Sequence, residues 1–390
     1  MNSIVILGSS VTGLGVLREA HRLGLSCIVF DTNAGIAMSS RYGRRVRALG
    51  RTDAGLLAEL LELGDGQRGL IATEDRWLAF IAAHRTVLER AYEAVLAPSN
   101  EALRVCLNKA VFARWCDEQG LPGCRSWSLE RLAEVTLPAL IRPARTLHGR
   151  PEVGLPKAVF VDSVTSLNHW AARFRGAGVD ALVSESLLGR DLTQYSVPLA
   201  RRDGRITSFV ARKVRPPASW AGTGSYVELC PNAEVEQVAR TAVEALDFFG
   251  IGEVEILQSG RDGQLYLVEI NARPWVQYSL AVASGHNLLH FLLGAQVSPA
   301  AALPKKKGVR WLNLRSDLYV CFSRSEGLYK HGDLRLSGYL RDVLGANAFA
   351  FFDWRDPWPA LKELGALAGD LAPKAFRSVW QRASTRSGRP

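Results

Sequence analysis

Long apolar runs are missing from this chain. No stretch of its 390 residues approaches the roughly 20 needed to cross a bilayer as a helix, so no transmembrane segment is expected. Cysteine is scarce and unpatterned. The six cysteines (27, 106, 116, 124, 230 and 321) form no CxxC pair and show no zinc-finger spacing. Cys27 and Cys321 lie in apolar runs, where a free thiol behaves as a small buried hydrophobe. Met1-Asn2-Ser3 leads directly into an apolar segment without a basic leader or small-residue cleavage site. A reducing, cytoplasmic location is therefore expected. Clustered charge is also lacking: the net charge is +10, yet Lys305-Lys306-Lys307 is the single basic run. Such a balance suits anionic small molecules, nucleic acid or an anionic membrane surface. The run reads as a solvated loop, and no nucleic-acid partner is expected. Repeats and low-complexity segments are absent as well.

What remains is an ordinary globular composition, 47% apolar and 22% charged, in a chain long enough for two or three packed units. Residues 3–7 are apolar, residues 8–15 glycine-rich, residues 16–23 helically spaced and residues 25–30 apolar again. This strand–turn–helix–strand order predicts a parallel βαβ unit. Helices at 56–63 and 76–91 and strands at 69–72 and 94–96 complete a doubly wound α/β domain over residues 1–100. One or two helices are expected within 101–119, a strand at 137–142, a loop at 146–156, a helix at 166–176 and a strand at 181–186. Runs at 192–199, 206–214 and 224–229, separated by turn residues, predict an antiparallel sheet. An amphipathic helix is expected over 234–249. Strands at 252–258 and 264–271 are joined by Arg261-Asp262-Gly263, a hairpin turn. The pattern is helical to residue 293, a loop follows over 299–307, and a strand falls within 309–323. A last helix follows Trp354.

The chemistry concentrates in GEVEILQSGRDGQLYLVEINAR, residues 252–273. Period-2 geometry points Glu269 and Asn271 to one face of their strand. Glu255, on the partner strand, shares that face where the register allows. Two carboxylates and an amide oxygen make a hard-oxygen site suited to Mg2+, with Mn2+ as the alternative ion. Arg273 occupies the next same-face position, where an always-charged fork suits phosphate. A solvated strand face is the competing reading. The apolar neighbours Val254, Ile256, Val268 and Ile270 instead give the carboxylates a face of their own.

Here the chain resembles the ATP-grasp superfamily of carboxylate–amine ligases, over about three quarters of its length. Glu269-Ile270-Asn271-Ala272-Arg273 is similar to the family's second metal strand, and Glu255 to its first metal carboxylate. The resemblance implies a mixed α/β and α+β fold: an N-terminal Rossmann-like α/β domain (1–100), a helical linker and central lid (101–190), a C-terminal ATP-grasp subdomain with the metal site (191–298) and a C-terminal extension (299–390). It implies ATP and Mg2+ as cofactors, with small-molecule carboxylate and amine substrates. Lys109 matches the family's first nucleotide-contacting lysine. Arg142, in Ile141-Arg142-Pro143, stands where the family usually has a lysine. The loop around His148, Gly149 and Gly154 falls where the family closes over phosphates. Glu185, Ser186, Leu188 and Asp191 resemble the hinge that holds adenine and ribose. Arg212, Lys213 and Arg215 fall on a strand from which one or two cations would face the γ-phosphate; Arg212, Lys213 and Arg273 are accordingly the catalytic candidates.

Gly8-Ser9-Ser10-Val11-Thr12-Gly13, with Asp31 ending the second strand, resembles a dinucleotide fingerprint. Ser10 replaces its middle glycine, so Gly8, Ser9, Ser10 and Asp31 are assigned to substrate instead. Ser40-Arg41-Tyr42 and Thr73-Glu74-Asp75 fall at the same cleft or in plain loop. The expected activity is ATP-dependent joining of a carboxylate to an amine, an amino acid or small amine, through an acyl phosphate. An NAD(P)-dependent oxidoreductase and a non-catalytic nucleotide-binding protein are the alternatives. A homodimer is the default assembly.

Overall fold

A computed structural model describes residues 1–50, 52–145, 154–187, 191–215, 223–298, 302–323, 328–329 and 334–371. Three sheets organise it. The N-terminal unit runs β1 (Ser3–Leu7), α1 (Val11–Arg22), β2 (Ser26–Asp31), β3 (Gly43–Arg47), α2 (Asp53–Leu63), β4 (Arg68–Ala72), α3 (Asp75–Ala91) and β5 (Ala94–Val95). Its strands are all parallel in the order β3-β2-β1-β4-β5. Ile4 through Leu7 are fully buried, as a strand covered on both faces requires. Strand β3 is not expected from the sequence, because Gly-Arg-Arg-Val-Arg carries the charge typical of a protected sheet edge. The turn after β1 depends on glycine: Gly8 has φ +111°, and a Cβ on Gly13 would lie 2.3 Å from the Gly8 carbonyl oxygen.

The second unit comprises α4 (Asn100–Cys106), α5 (Lys109–Glu118), β6 (Ser126–Ser128), β7 (Ala139–Pro143), β8 (Val159–Val161), α6 (Val164–Gly176) and β9 (Ala181–Glu185). Its strands are ordered β6-β9-β7-β8 and antiparallel. Phe174 of α6 packs with Trp127, Ile141 and Val183 in a separate core. Asn108 starts α5, its side chain accepting from Ala110 N and Val111 N.

The third unit is β10 (Leu192–Arg202), β11 (Arg205–Ser208), β12 (Ala211–Arg215), β13 (Tyr226–Leu229), α7 (Ala233–Ala245), β14 (Gly250–Ser259), β15 (Leu265–Asn271), α8 (Tyr278–Ala283), α9 (Leu288–Leu293), β16 (Arg310–Leu312), α10 (Leu314–Phe322), α11 (Leu336–Gly345), β17 (Ala348–Phe349) and α12 (Trp358–Leu371). The sheet order is β15-β14-β10-β12-β13-β16-β17, with β11 also on β10. The single strand expected over 206–214 is two. Pro198 of β10 faces the break, accepting from Phe209 N at 3.2 Å. Its missing N–H falls on the same side, so the ladder cannot continue there. Helix α7 ends at Ala245, short of 249, because Asp247 turns into positive φ at 45°.

The segment after residue 299 is built into the sheet, since β16 pairs with β13 and β17 with β16. Trp311 is fully buried. Arg215 reaches Asp317 at 2.7 and 3.0 Å and Asp342 at 2.7 Å. Arg18 of α1 holds Asp356 at 3.1 Å. Among the described residues no helix is long and apolar enough to cross a membrane.

Candidate active site

The antiparallel register of β14 and β15 sets Glu255 opposite Glu269 and Glu253 opposite Asn271. Three carboxylates and an amide therefore gather on adjoining strands. A bulge directly after Glu255 shifts the register, which next pairs Ile256 with Leu267. The Asn271 side chain donates to Glu253 Oε2 at 3.1 Å and to Glu269 Oε1 at 3.3 Å. Ser196 of β10 donates to Glu253, and Gln194 Nε2 donates to Glu255 Oε2 at 3.2 Å.

Cations reach this face from three directions. Lys213 of β12 lies 2.8 Å from Glu255 and 3.9 Å from Glu253, with 2% of its side chain exposed. Lys109, the first residue of α5, lies 3.4 Å from Glu269. Arg273 crosses to the N-terminal unit, where its Nε meets Asp75 Oδ1 at 2.6 Å, while its Nη2 lies 3.4 Å from Asn271 Oδ1. Arg142 of β7 bears electrostatically on Glu269, and its Nε is buried without a partner among the described residues. Exposures of 18% for the Glu255 side chain and 29% for that of Glu269 leave both open to a ligand.

Burial pushes the Glu255 carboxyl up to about 7, with Glu253 and Glu269 adding to the rise and Lys213 opposing it. Burial acts in the same sense on Glu269, but Lys109, Arg142 and Lys213 outweigh it and hold that carboxyl below the usual range. Lys213 is held above the ordinary lysine range: burial opposes its charge, and Glu255 and Glu253 more than compensate.

Among the described residues no three acidic, imidazole or thiol side chains converge as a ready-made metal cage. Mg2+ commonly takes one or two protein carboxylates and completes its shell with water and phosphate. The donor set fits that mode. Gln194 Oε1 is also a buried acceptor without a partner among the described residues, beside a carboxylate pair already braced by amides.

Other expected site residues lie elsewhere. Arg212 alternates away from Lys213 along β12 and pairs with Glu228 on an exposed face. Arg215 is committed to Asp317 and Asp342. Neither joins the carboxylate cluster, because strand alternation and the bulge between Lys213 and Arg215 separate the three cations. Ser9 and Asp31 are buried against each other. Ser9 N and Oγ donate to Asp31 Oδ2 at 2.7 and 2.6 Å, and Arg76 takes the other oxygen. Their polar atoms are engaged with each other and with Arg76 and shape the glycine loop. Ser10 caps α1 by position, without a side-chain capping bond. Glu185 ends β9, accepting from Arg125 N at 2.9 Å, and Ser186 N donates to Pro138 O at 3.2 Å. Asp191, with φ 51°, accepts from Gly260 N at 2.9 Å. Leu188 and the loop bearing His148 and Gly149 lie outside the described residues. Glu253 went unassigned in the sequence, although the Glu-Val-Glu alternation carried the signal for it.

No family model matches the chain. Over 153 residues it is 27% identical to a D-alanine–D-alanine ligase from Xanthomonas axonopodis pv. citri (strain 306), covering 36% of this chain and 44% of that protein. The chain thus matches under half the length of that relative. The structure superposes on N5-carboxyaminoimidazole synthetase from Staphylococcus aureus with a TM-score of 0.64 at 14% identity, over 85% of each chain. The chain has the ATP-grasp fold. The L-amino acid ligase from Bacillus licheniformis also matches, with a TM-score of 0.56 at 16% identity, over 78% of this chain and 76% of that one. The carboxylate hairpin, β14 and β15, lies at one edge of the largest of the three sheets.

Proposed function

We propose that the chain is an ATP-dependent ligase that joins a carboxylate to an amine and releases ADP and phosphate. The observation that carries this reading is the cross-strand pair Glu255–Glu269 with Asn271 beside it, facing Lys213, Lys109 and Arg142. Glu255, Glu269 and Asn271 would hold Mg2+. That ion supplies charge neutralisation to the nucleotide phosphates when bound. Lys109 and Arg142 bear on the phosphates, and the unpartnered Arg142 Nε is a donor ready for one of their oxygens. Lys213 neutralises the carboxylates until nucleotide arrives. Glu185, Ser186 and Asp191 lie along the connection from β9 to β10, where adenine and ribose would seat.

The substrate carboxylate attacks the γ-phosphorus. A C–O–P bond forms as the bond to the ADP oxygen breaks. The amine then attacks the carbonyl carbon, phosphate leaves and the amine gives up a proton. No protein nucleophile is required, because positioning and charge supply the rate. Arg273 acts through Asp75, fixing the substrate-side unit against the hairpin. An amino acid or small amine is the proposed acceptor, entering near Gly8 and Ser10. The nicotinamide alternative is weakened by the engagement of Asp31 with Ser9 and Arg76.

The test is ADP release from Mg-ATP across a panel of carboxylates and amines, with Glu269→Ala run in parallel. Release that needs one particular carboxylate and falls about 100-fold or more in the variant supports the ligase. A protein whose melting temperature is unmoved by Mg-ATP, and which releases no ADP with any pair, refutes it.

A further inference from the structure

We propose that the groove between α12 and the short helical turn Ile36–Ser39 is a second ligand site, for a small molecule carrying an anionic head on an apolar body. The groove has a volume of about 720 Å3, within the range of sites that take drug-sized ligands. Met38, Trp358 and Leu361 supply apolar lining and Arg41, Arg45 and Lys362 cationic lining; among the described residues no carboxylate lines it. None of the carboxylate-hairpin residues contributes, so the inference stands apart from the ligase reading.

Two features of this groove call for a ligand. The first is uncompensated positive charge. The neighbouring acids are engaged elsewhere: Asp356 takes Arg18 Nε at 3.1 Å and the Arg41 backbone N–H at 3.0 Å, and Glu363 pairs with Arg315 at 3.2 Å. Among the described residues Arg41 and Lys362 make no ion pair, and the Arg45 guanidinium reaches only the Ser40 carbonyl, at 3.3 Å. The second is exposed apolar area, with Trp358 57% and Leu361 53% accessible.

One class of ligand relieves both. A carboxylate or phosphate can take the guanidinium forks, which favour bidentate pairing with planar anions. An aryl or acyl body covers the indole and the leucine. The position is also one where open α/β sheets receive ligands, since Ala34 and Met38 follow β2 at its carboxyl end. The glycine loop lies on the other side of the same turn, where Ala37 N donates to Ser9 O at 2.8 Å.

The experiment titrates the full chain calorimetrically with decanoate, decyl phosphate, decanol and inorganic phosphate. The amphiphiles are kept below their micelle thresholds. The same titrations are run on Arg41→Gln/Arg45→Gln and on Trp358→Ala, with melting curves to establish folding; all three positions are exposed. Saturable one-to-one binding of decanoate or decyl phosphate is expected, weakened about tenfold or more in each variant, which corresponds to about 1.4 kcal/mol. The stronger of the two amphiphiles identifies the head group. Decanol binding as tightly would reduce the groove to a hydrophobic patch, and inorganic phosphate binding as tightly to a bare anion patch. Binding seen only with anionic vesicles would make it a membrane contact. A dimer that Trp358→Ala dissociates would make it a subunit interface. Any of these four results, or no saturable binding at all, overturns the proposal.

Discussion

Lys213 is nearly sealed from water among Glu253, Glu255 and Glu269, and its ammonium is what permits the carboxylates to stay so close. Removing one partner of a buried cluster leaves the others uncompensated, at a cost of roughly 3–5 kcal/mol. Lys213→Met should therefore destabilise the protein by about 3 kcal/mol, read as a fall in the denaturant midpoint. Added Mg2+ should raise the melting temperature of the variant more than that of wild type, because a divalent ion can take the vacated role. An equal response in both proteins would show that the carboxylates do not attract the ion. The sequence disclosed this cluster unevenly. Glu269 and Asn271 announce themselves by alternation alone. Placing Glu253 against Asn271 and Arg212 against Glu228 needs the strand pairing, which joins residues 18 and 16 positions apart and is not visible along one strand. The engagement of Asp31 with Ser9 is equally invisible until the turn at Gly8 brings them together.

Helix α5 sets where Lys109 stands. Asn108 caps it by accepting from Ala110 N and Val111 N, and Lys109 N donates to Ala144 O at 2.7 Å. The helix start is thereby tied to the strand end next to Arg142. Losing such a cap costs about 1 kcal/mol. Asn108→Ala should lower stability by about that amount and raise the KM for ATP while leaving kcat little changed. A kcat loss with KM intact would contradict the positioning role. Elements with strong periodicity were readable from the sequence, among them the α/β unit, α6, α7 and the hairpin. The division of 206–214 was not, since Phe209 and Val210 are both apolar and both buried, and the pattern runs unbroken across the gap. Short strands such as β6, β8 and β17 hold two or three residues each, too few for a period to register.

Across the whole molecule, the last quarter of the chain is fastened by charge as well as by strand pairing. Asp317 is fully buried and bonded to both Arg215 and Ser225, and the Arg215 guanidinium stacks 4.1 Å from the Tyr226 ring centroid. Arg215→Met should cost about 3–5 kcal/mol in equilibrium unfolding. Adding Asp317→Asn to it should restore part of that loss, as coupled sites do. Strict additivity of the two changes would mean that the pair is not the fastening.

The link from Arg273 to Asp75 gives the cluster a property of its own. Among the described residues, Lys109, Arg142, Lys213 and Arg273 face Asp75, Glu253, Glu255 and Glu269, four cationic groups against four carboxyl groups. The cleft is an internally compensated electrolyte. A metal–nucleotide complex entering it trades ionic partners inside the protein and sheds few ions to the medium, so its affinity should vary little with added salt.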